Sequence, residues 1–127
     1  MPAGNTSPKE PSSPNPLPPG ALKIAAEMVD RAFQVANKGL YRDRLLENDS
    51  RKERIKDEIK DDIVRVHKEL VYFRDYKDEL SKNARDIIAR IEQDITDIDR
   101  YLDDAWPAYP FEAFLSDIKA LYEELEG

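Results

Sequence analysis

Residues 50–104 contain neither proline nor glycine, and this uninterrupted stretch constrains the fold of the chain more than any other feature. Its apolar residues recur at intervals of three and four, which places them on one face of an α-helix. The first half of this apolar seam comprises Ile55, Ile59, Ile63, Val66, Leu70 and Phe73. The second half comprises Leu80, Ala84, Ile87 or Ile88, Ile91, Ile95, Ile98 and Leu102. The pattern predicts helix along most of the stretch.

Two architectures satisfy this pattern. One continuous helix of about 55 residues would extend roughly 80 Å and would need a partner chain to bury its seam. Alternatively, the chain turns near residues 81–83, where Asn83 caps a second helix, and forms an antiparallel hairpin. Lys77 interrupts the seam, and the apolar register shifts near Ile87. Both irregularities favour the hairpin.

A preceding helix is predicted from Leu22 to Leu46. Its apolar stripe is rich in small residues, which let a neighbouring helix approach closely, and comprises Leu22, Ala25, Met28, Val29, Ala32, Phe33 and Ala36. Gly39 either ends this helix in a left-handed cap or lies within it. Ser50 and Glu53 have the spacing of a capping box, which predicts that the next helix begins at Ser50.

The C-terminal region contains the last two prolines, Pro107 and Pro110. Each disfavours helical geometry in the residue before it, so the long helical region must end there. A final amphipathic helix is predicted at residues 110–126. Its apolar stripe comprises Phe111, Phe114, Leu115, Ile118, Leu121, Tyr122 and Leu125.

The other seven prolines lie within residues 1–20, a composition that cannot build an apolar face and predicts a disordered tail. Gly39 is the only glycine between residues 21 and 126, which disfavours a turn-rich all-β fold. The predicted fold class is therefore all-α. We expect an antiparallel helical bundle or coiled-coil hairpin of three to four helices at residues 21–127, behind the proline-rich tail.

The residue types that carry most enzyme chemistry are scarce in this chain. There is no cysteine, and the one histidine, His67, lies beside the apolar seam between Ile63 and Leu70. Val64 stands three residues before His67, where a di-metal site in a bundle would need glutamate. No glycine-rich phosphate-binding motif occurs. We therefore predict no enzyme activity, no cofactor and no metal site.

The net charge of −7 is unevenly distributed along the chain. Residues 86–127 contain three basic and twelve acidic residues, a net charge of −9. Such a region repels nucleic acid and anionic lipid, so the predicted partner is another protein, with a basic one the natural complement. No secretory apolar run and no stretch near the ~20 apolar residues of a membrane span occur. A cytoplasmic location without membrane association is expected.

Aromatic residues concentrate in the same acidic region. Large aromatics framed by charge are typical of interface hot spots, which predicts partner binding by Tyr101, Trp106, Tyr109, Phe111, Phe114 and Tyr122. The alternative is that the last helix folds back and Trp106 packs at the end of the bundle. The predicted function is a non-enzymatic protein–protein interaction or assembly module. The alternative function is an acidic inhibitor or chaperone that neutralises a basic partner, and a homo-oligomer is also open.

Overall fold

The structure, a computed structural model, describes residues 20–104 and 109–127. Within these ranges the chain forms four α-helices, one short 3₁₀ turn at Lys77–Glu79 and no strand. The helices are α1 (Ala21–Asp43), α2 (Ser50–Asp75), α3 (Lys82–Asp104) and α4 (Phe111–Glu126). The all-α prediction is confirmed. The predicted tail, apart from Gly20, and the predicted break at Trp106-Pro107 lie outside the described residues.

The four helices form an up-down-up-down bundle. α1 packs on α2 and α4, and α3 packs on α4 and, less extensively, on α2. Consecutive helices run antiparallel, so the first half of one helix lies beside the end of the next. Lys60 of α2 donates to Asp103 at the end of α3 (2.9 Å), and Asn83 at the start of α3 donates to Glu124 at the end of α4 (2.6 Å). Among the described helices, none combines the length and apolarity needed to cross a bilayer.

The hairpin prediction is confirmed, because α2 ends at Asp75 and α3 begins at Lys82. The predicted cap is wrong by two residues. The Ser81 hydroxyl accepts the bond from the Ala84 backbone N–H (3.0 Å), whereas the Asn83 side chain donates to Glu124 of α4. Ser81 is the cap because it precedes the first helical residue, and Asn83 already lies inside the helix.

The predicted start of α2 at Ser50 is confirmed, but the predicted capping box of Ser50 and Glu53 is wrong. Asp49 is the N-cap, with extended backbone geometry, and its carboxylate accepts from the Arg51 backbone N–H (2.9 Å). Its bonds with the Arg51 side chain and backbone lower the pKa of Asp49 to about 2. Ser50 is the first helical residue, so its side chain is one position too late to cap.

The core consists of one apolar stripe from each helix. Every residue of the predicted seam in α2 and α3 is buried, including both Ile87 and Ile88. In α1 the predicted stripe is wrong by part of a turn, since Leu22 and Phe33 are exposed. The buried face of α1 repeats strictly at four and three residues and comprises Ala21, Ala25, Met28, Ala32, Val35 and Gly39.

Gly39 lies inside α1 and is buried against α4, so it does not end the helix. A Cβ atom at this position would lie 2.7 Å from the ring of Phe111. Phe111 is fully buried, and the close packing of protein interiors leaves a buried ring little room to move. The absent side chain of Gly39 therefore makes room for the first residue of α4.

We predict that G39A lowers the free energy of unfolding by about 1–3 kcal/mol, the usual cost of overpacking a core. This loss runs against helix propensity, because alanine favours a helix over glycine by about 0.5–1 kcal/mol. Urea unfolding followed by circular dichroism measures it. F111L removes the ring that the new methyl group would meet, so in this background G39A should become neutral or stabilising. N37A is the control at an exposed position of the same helix and should change stability by only a few tenths of a kcal/mol. A G39A protein more stable than wild type would contradict this packing.

Candidate functional site

The structure separates the predicted partner-binding aromatics into two groups. Phe111 and Phe114 are fully buried, so within this fold their side chains are core residues that no partner can touch. Tyr109 is 39% exposed, and Tyr101 and Tyr122 are partly exposed. Trp106 lies outside the described residues. Partner binding by Tyr101, Tyr109 and Tyr122 stays a prediction.

Tyr101, Tyr109 and Phe111 form an aromatic cluster at the end of the bundle where α1 finishes. The Tyr101 ring makes edge contacts with Tyr109 and Phe111 at centroid distances of 5.9 and 5.7 Å, and Tyr109 and Phe111 are 5.1 Å apart. The Tyr101 hydroxyl donates to Asp43 of α1 (2.7 Å). Burial is the larger cause and the hydrogen bond to the Asp43 carboxylate the second, and together they raise the pKa of Tyr101 to about 12. Tyr101 therefore remains a neutral donor that ties α3 to α1.

A polar cleft of about 510 Å³ opens beside this cluster. It is lined by Arg42, Asp43, Glu47, Lys52, Tyr101, Leu102, Asp103 and Asp104. The Arg42 guanidinium donates to the backbone carbonyls of Lys52 and Leu102 (both 3.4 Å), which joins the ends of three helices. Lys52 pairs with Glu47 (3.2 Å), and Asp103 pairs with Lys60. The charges of the cleft are thus engaged in closing the end of the bundle.

No metal-binding group emerges from the described part of the chain. Nowhere in residues 20–104 and 109–127 do three or more histidine, aspartate or glutamate side chains converge well enough to hold an ion. His67 is exposed on α2.

Two carboxyl groups, Asp94 of α3 and Asp117 of α4, lie beside each other where these helices pack. Asp94 is only 8% exposed, and one of its oxygens has no hydrogen-bond partner among the described residues. It faces Asp117 of α4, to which Arg90 donates at 3.3 Å, and Asp97 adds a further negative charge. Burial, and then the bond to Asp117, raise the pKa of Asp94 to about 8. The Asp94 carboxyl therefore holds its proton at neutral pH.

Sequence reasoning missed Asp94, although a signal was available. Asp94 follows Ile91 by three residues and precedes Ile98 by four, so helical spacing places it on the apolar face of α3. Asp62 of α2 is a second buried aspartate, and it differs in having a cation beside it, Lys38 of α1 at 3.0 Å.

An apolar surface remains outside the core along the junction of α1 and α4. Leu22, Phe33 and Leu40 of α1 are 38%, 44% and 45% exposed. Partly buried apolar residues continue the patch, and the Lys119 ammonium of α4 lies 5.6 Å from the centre of the Phe33 ring. We name this the α1–α4 surface, and it comprises Leu22, Val29, Phe33, Ala36, Leu40, Leu115 and Tyr122.

The opposite edge of α1, which faces α2, has a different character. Arg31 and Lys38 are seven residues apart and pair with Glu69 (3.6 Å) and Asp62 (3.0 Å), which are also seven residues apart. Burial raises the pKa of Glu69 even though Arg31 opposes this. This edge is closed by charge pairs of the kind that flank a coiled-coil seam, whereas the α4 edge is apolar.

Comparison of the chain with protein-family models, with curated proteins and with solved structures finds no match. The arrangement of residues in the bundle therefore carries the functional argument.

We predict that Asp94 makes the bundle less stable as pH rises from about 4 to about 8. Because the pKa of Asp94 is raised from 3.8 to about 8, the folded state in this window binds a proton that the unfolded state releases. D94N should abolish this dependence and stabilise the protein above about pH 8 by at least the roughly 1–3 kcal/mol gained by relieving an unsatisfied buried polar group. Urea midpoints measured across this pH range test it.

The matched control is D61N, which removes an exposed carboxyl from the middle of α2 and should leave the slope of stability against pH unchanged. If wild type and D94N showed the same slope between about pH 4 and about pH 8, the raised pKa of Asp94 would be disproved.

Proposed function

We propose that this protein is a non-enzymatic interaction module that binds another protein through the α1–α4 surface. The observation that carries the proposal is the position of Leu22, Phe33 and Leu40, three large apolar side chains on one edge of a helix whose core face is already filled. Leu22 and Leu40 bound a line of apolar residues that includes Val29, Phe33 and Ala36. Contiguous exposed apolar residues rimmed by charge are typical of protein-binding sites.

The seam that would have needed a partner in a single long helix is buried by the hairpin and by α1 and α4. Binding energy is therefore expected from surface residues outside the core, and loss of the partner should leave the fold intact.

A second candidate function is the acidic inhibitor or chaperone that neutralises a basic protein. It is favoured by the charge of α4, which has five carboxylates and one lysine. Salt distinguishes the two functions, because affinity carried by charge falls steeply with ionic strength and affinity carried by apolar burial does not.

We predict that the triple variant L22S/F33S/L40S loses the partner that wild type captures from a lysate of the source organism. Because these residues are 38–45% exposed, each substitution should lower the free energy of unfolding by about 0.5–2 kcal/mol. The measurement is affinity capture with quantitative mass spectrometry, with circular dichroism to establish folding. The control V64S/V71S removes exposed apolar residues from α2 and should retain the partner. Equal capture by the triple variant and wild type would refute this use of the surface.

A further inference from the structure

The register between α1 and α4 is fixed by two contacts. Lys119 lies over Phe33, and the Phe111 ring lies against the backbone of Gly39. In an antiparallel pair, moving seven residues along one helix moves seven residues back along the other. Leu40 therefore lies near Glu112, and Ala26 lies near Glu126. The edge of α4 beside the α1–α4 surface thus presents glutamate, lysine and glutamate at seven-residue intervals.

Within residues 20–104 and 109–127, the carboxylates on this side of α4 have no counter-ion. Glu112, Glu123 and Glu126 are exposed, and none forms an ion pair with any residue that the structure describes. On the α3 side of the same helix, by contrast, Arg90 donates to Asp117 and Asn83 donates to Glu124. The uncompensated charge of α4 is therefore concentrated on the side away from α3.

Two of these glutamates border a groove that also has an apolar floor. Glu112, Leu115, Ser116, Lys119, Ala120 and Glu123 line a depression of about 320 Å³ along α4. Apolar and anionic groups are thus combined within one strip of surface. The α2 edge of α1 has no equivalent, because its charges already pair as Arg31–Glu69 and Lys38–Asp62.

We propose that the α1–α4 surface binds an amphipathic helix that has an apolar face flanked by lysine or arginine. The inference rests on the proposed function and adds the chemistry of the partner. The apolar face of the incoming helix covers Leu22, Phe33 and Leu40, and its basic flank pairs with Glu112, Glu123 and Glu126. A helix laid in a groove is a common mode of peptide recognition, with anchors at three- and four-residue spacing.

Charge favours this occupant over a second copy of the chain. A second copy docked through the same surface would bring its own Glu112, Glu123 and Glu126 against these three, and juxtaposed like charges oppose association. The length also suits a short helix, because residues 22–40 extend about 27 Å at 1.5 Å per residue. Three heptads of a partner helix match that length.

The test uses two synthetic three-heptad peptides of about 21 residues with leucine at the a and d positions. One peptide has lysine at the flanking e and g positions, and the other has glutamate there. Binding to the full chain is measured by fluorescence anisotropy at low and high salt. We expect the lysine peptide to bind at least about tenfold more tightly than the glutamate peptide at low salt, and the difference to shrink at high salt.

Variants locate the binding. E112Q/E123Q/E126Q should weaken the lysine peptide at least about tenfold, and F33S/L40S should abolish binding. The control E53Q/D57N/D61N removes the same number of exposed carboxylates from α2 and should have a much smaller effect.

Three outcomes would overturn the inference. If both peptides bind equally, or if E112Q/E123Q/E126Q has no effect, the basic flank is refuted while the apolar interaction surface stands. If neither peptide binds and the protein self-associates through a contact that F33S/L40S abolishes, the occupant is a second copy, and again only the proposed partner fails. If neither peptide binds and L22S/F33S/L40S still captures its partner, the inference and the proposed function fail together.

Discussion

The close approach of α1 to α4 is the constraint on which the rest of the bundle depends. Three alanines and a glycine lie on the buried face of α1 together with Met28 and Val35, and the absent side chain of Gly39 leaves space for the Phe111 ring of α4. Phe33 and Leu40 lie on the adjoining edge of α1, where they are nearly half exposed. The tight helix contact and the exposed apolar surface therefore lie side by side on α1.

Much of the fold followed from periodicity. Four-three spacing placed the buried residues of α2, α3 and α4, and Lys77 marked the interruption where the hairpin turns. These predictions succeeded because α2, α3 and α4 each have one apolar stripe with charge around it, which leaves a single way to bury it. The turn was harder to place because it lacks glycine and proline, and neighbouring polar residues compete to cap a helix, as Ser81 and Asn83 show.

Other features could not be predicted from the sequence. α1 has two adjoining apolar stripes, one containing Met28 and Val35 and the other containing Leu22 and Phe33, and spacing alone does not indicate which is buried. The choice is made where α2 and α4 pack on α1, which is a tertiary constraint. The chemistry of Asp94 likewise depends on Asp117 approaching from another helix. Among the predicted binding aromatics, Phe111 is buried and Tyr109 is accessible. This difference also depends on how the helices pack and not on the sequence pattern alone.

The ring of helices closes where the first helix meets the last, and this junction joins the segments of the bundle that are farthest apart in the chain. The other three junctions connect neighbours in sequence and need only short loops. A molecule seated across α1 and α4 would therefore act as a clasp on the contact with the largest loop-closure entropy. Its binding would slow opening of the whole bundle, so that amide protons far from the contact, in α2 and α3, would exchange more slowly with solvent.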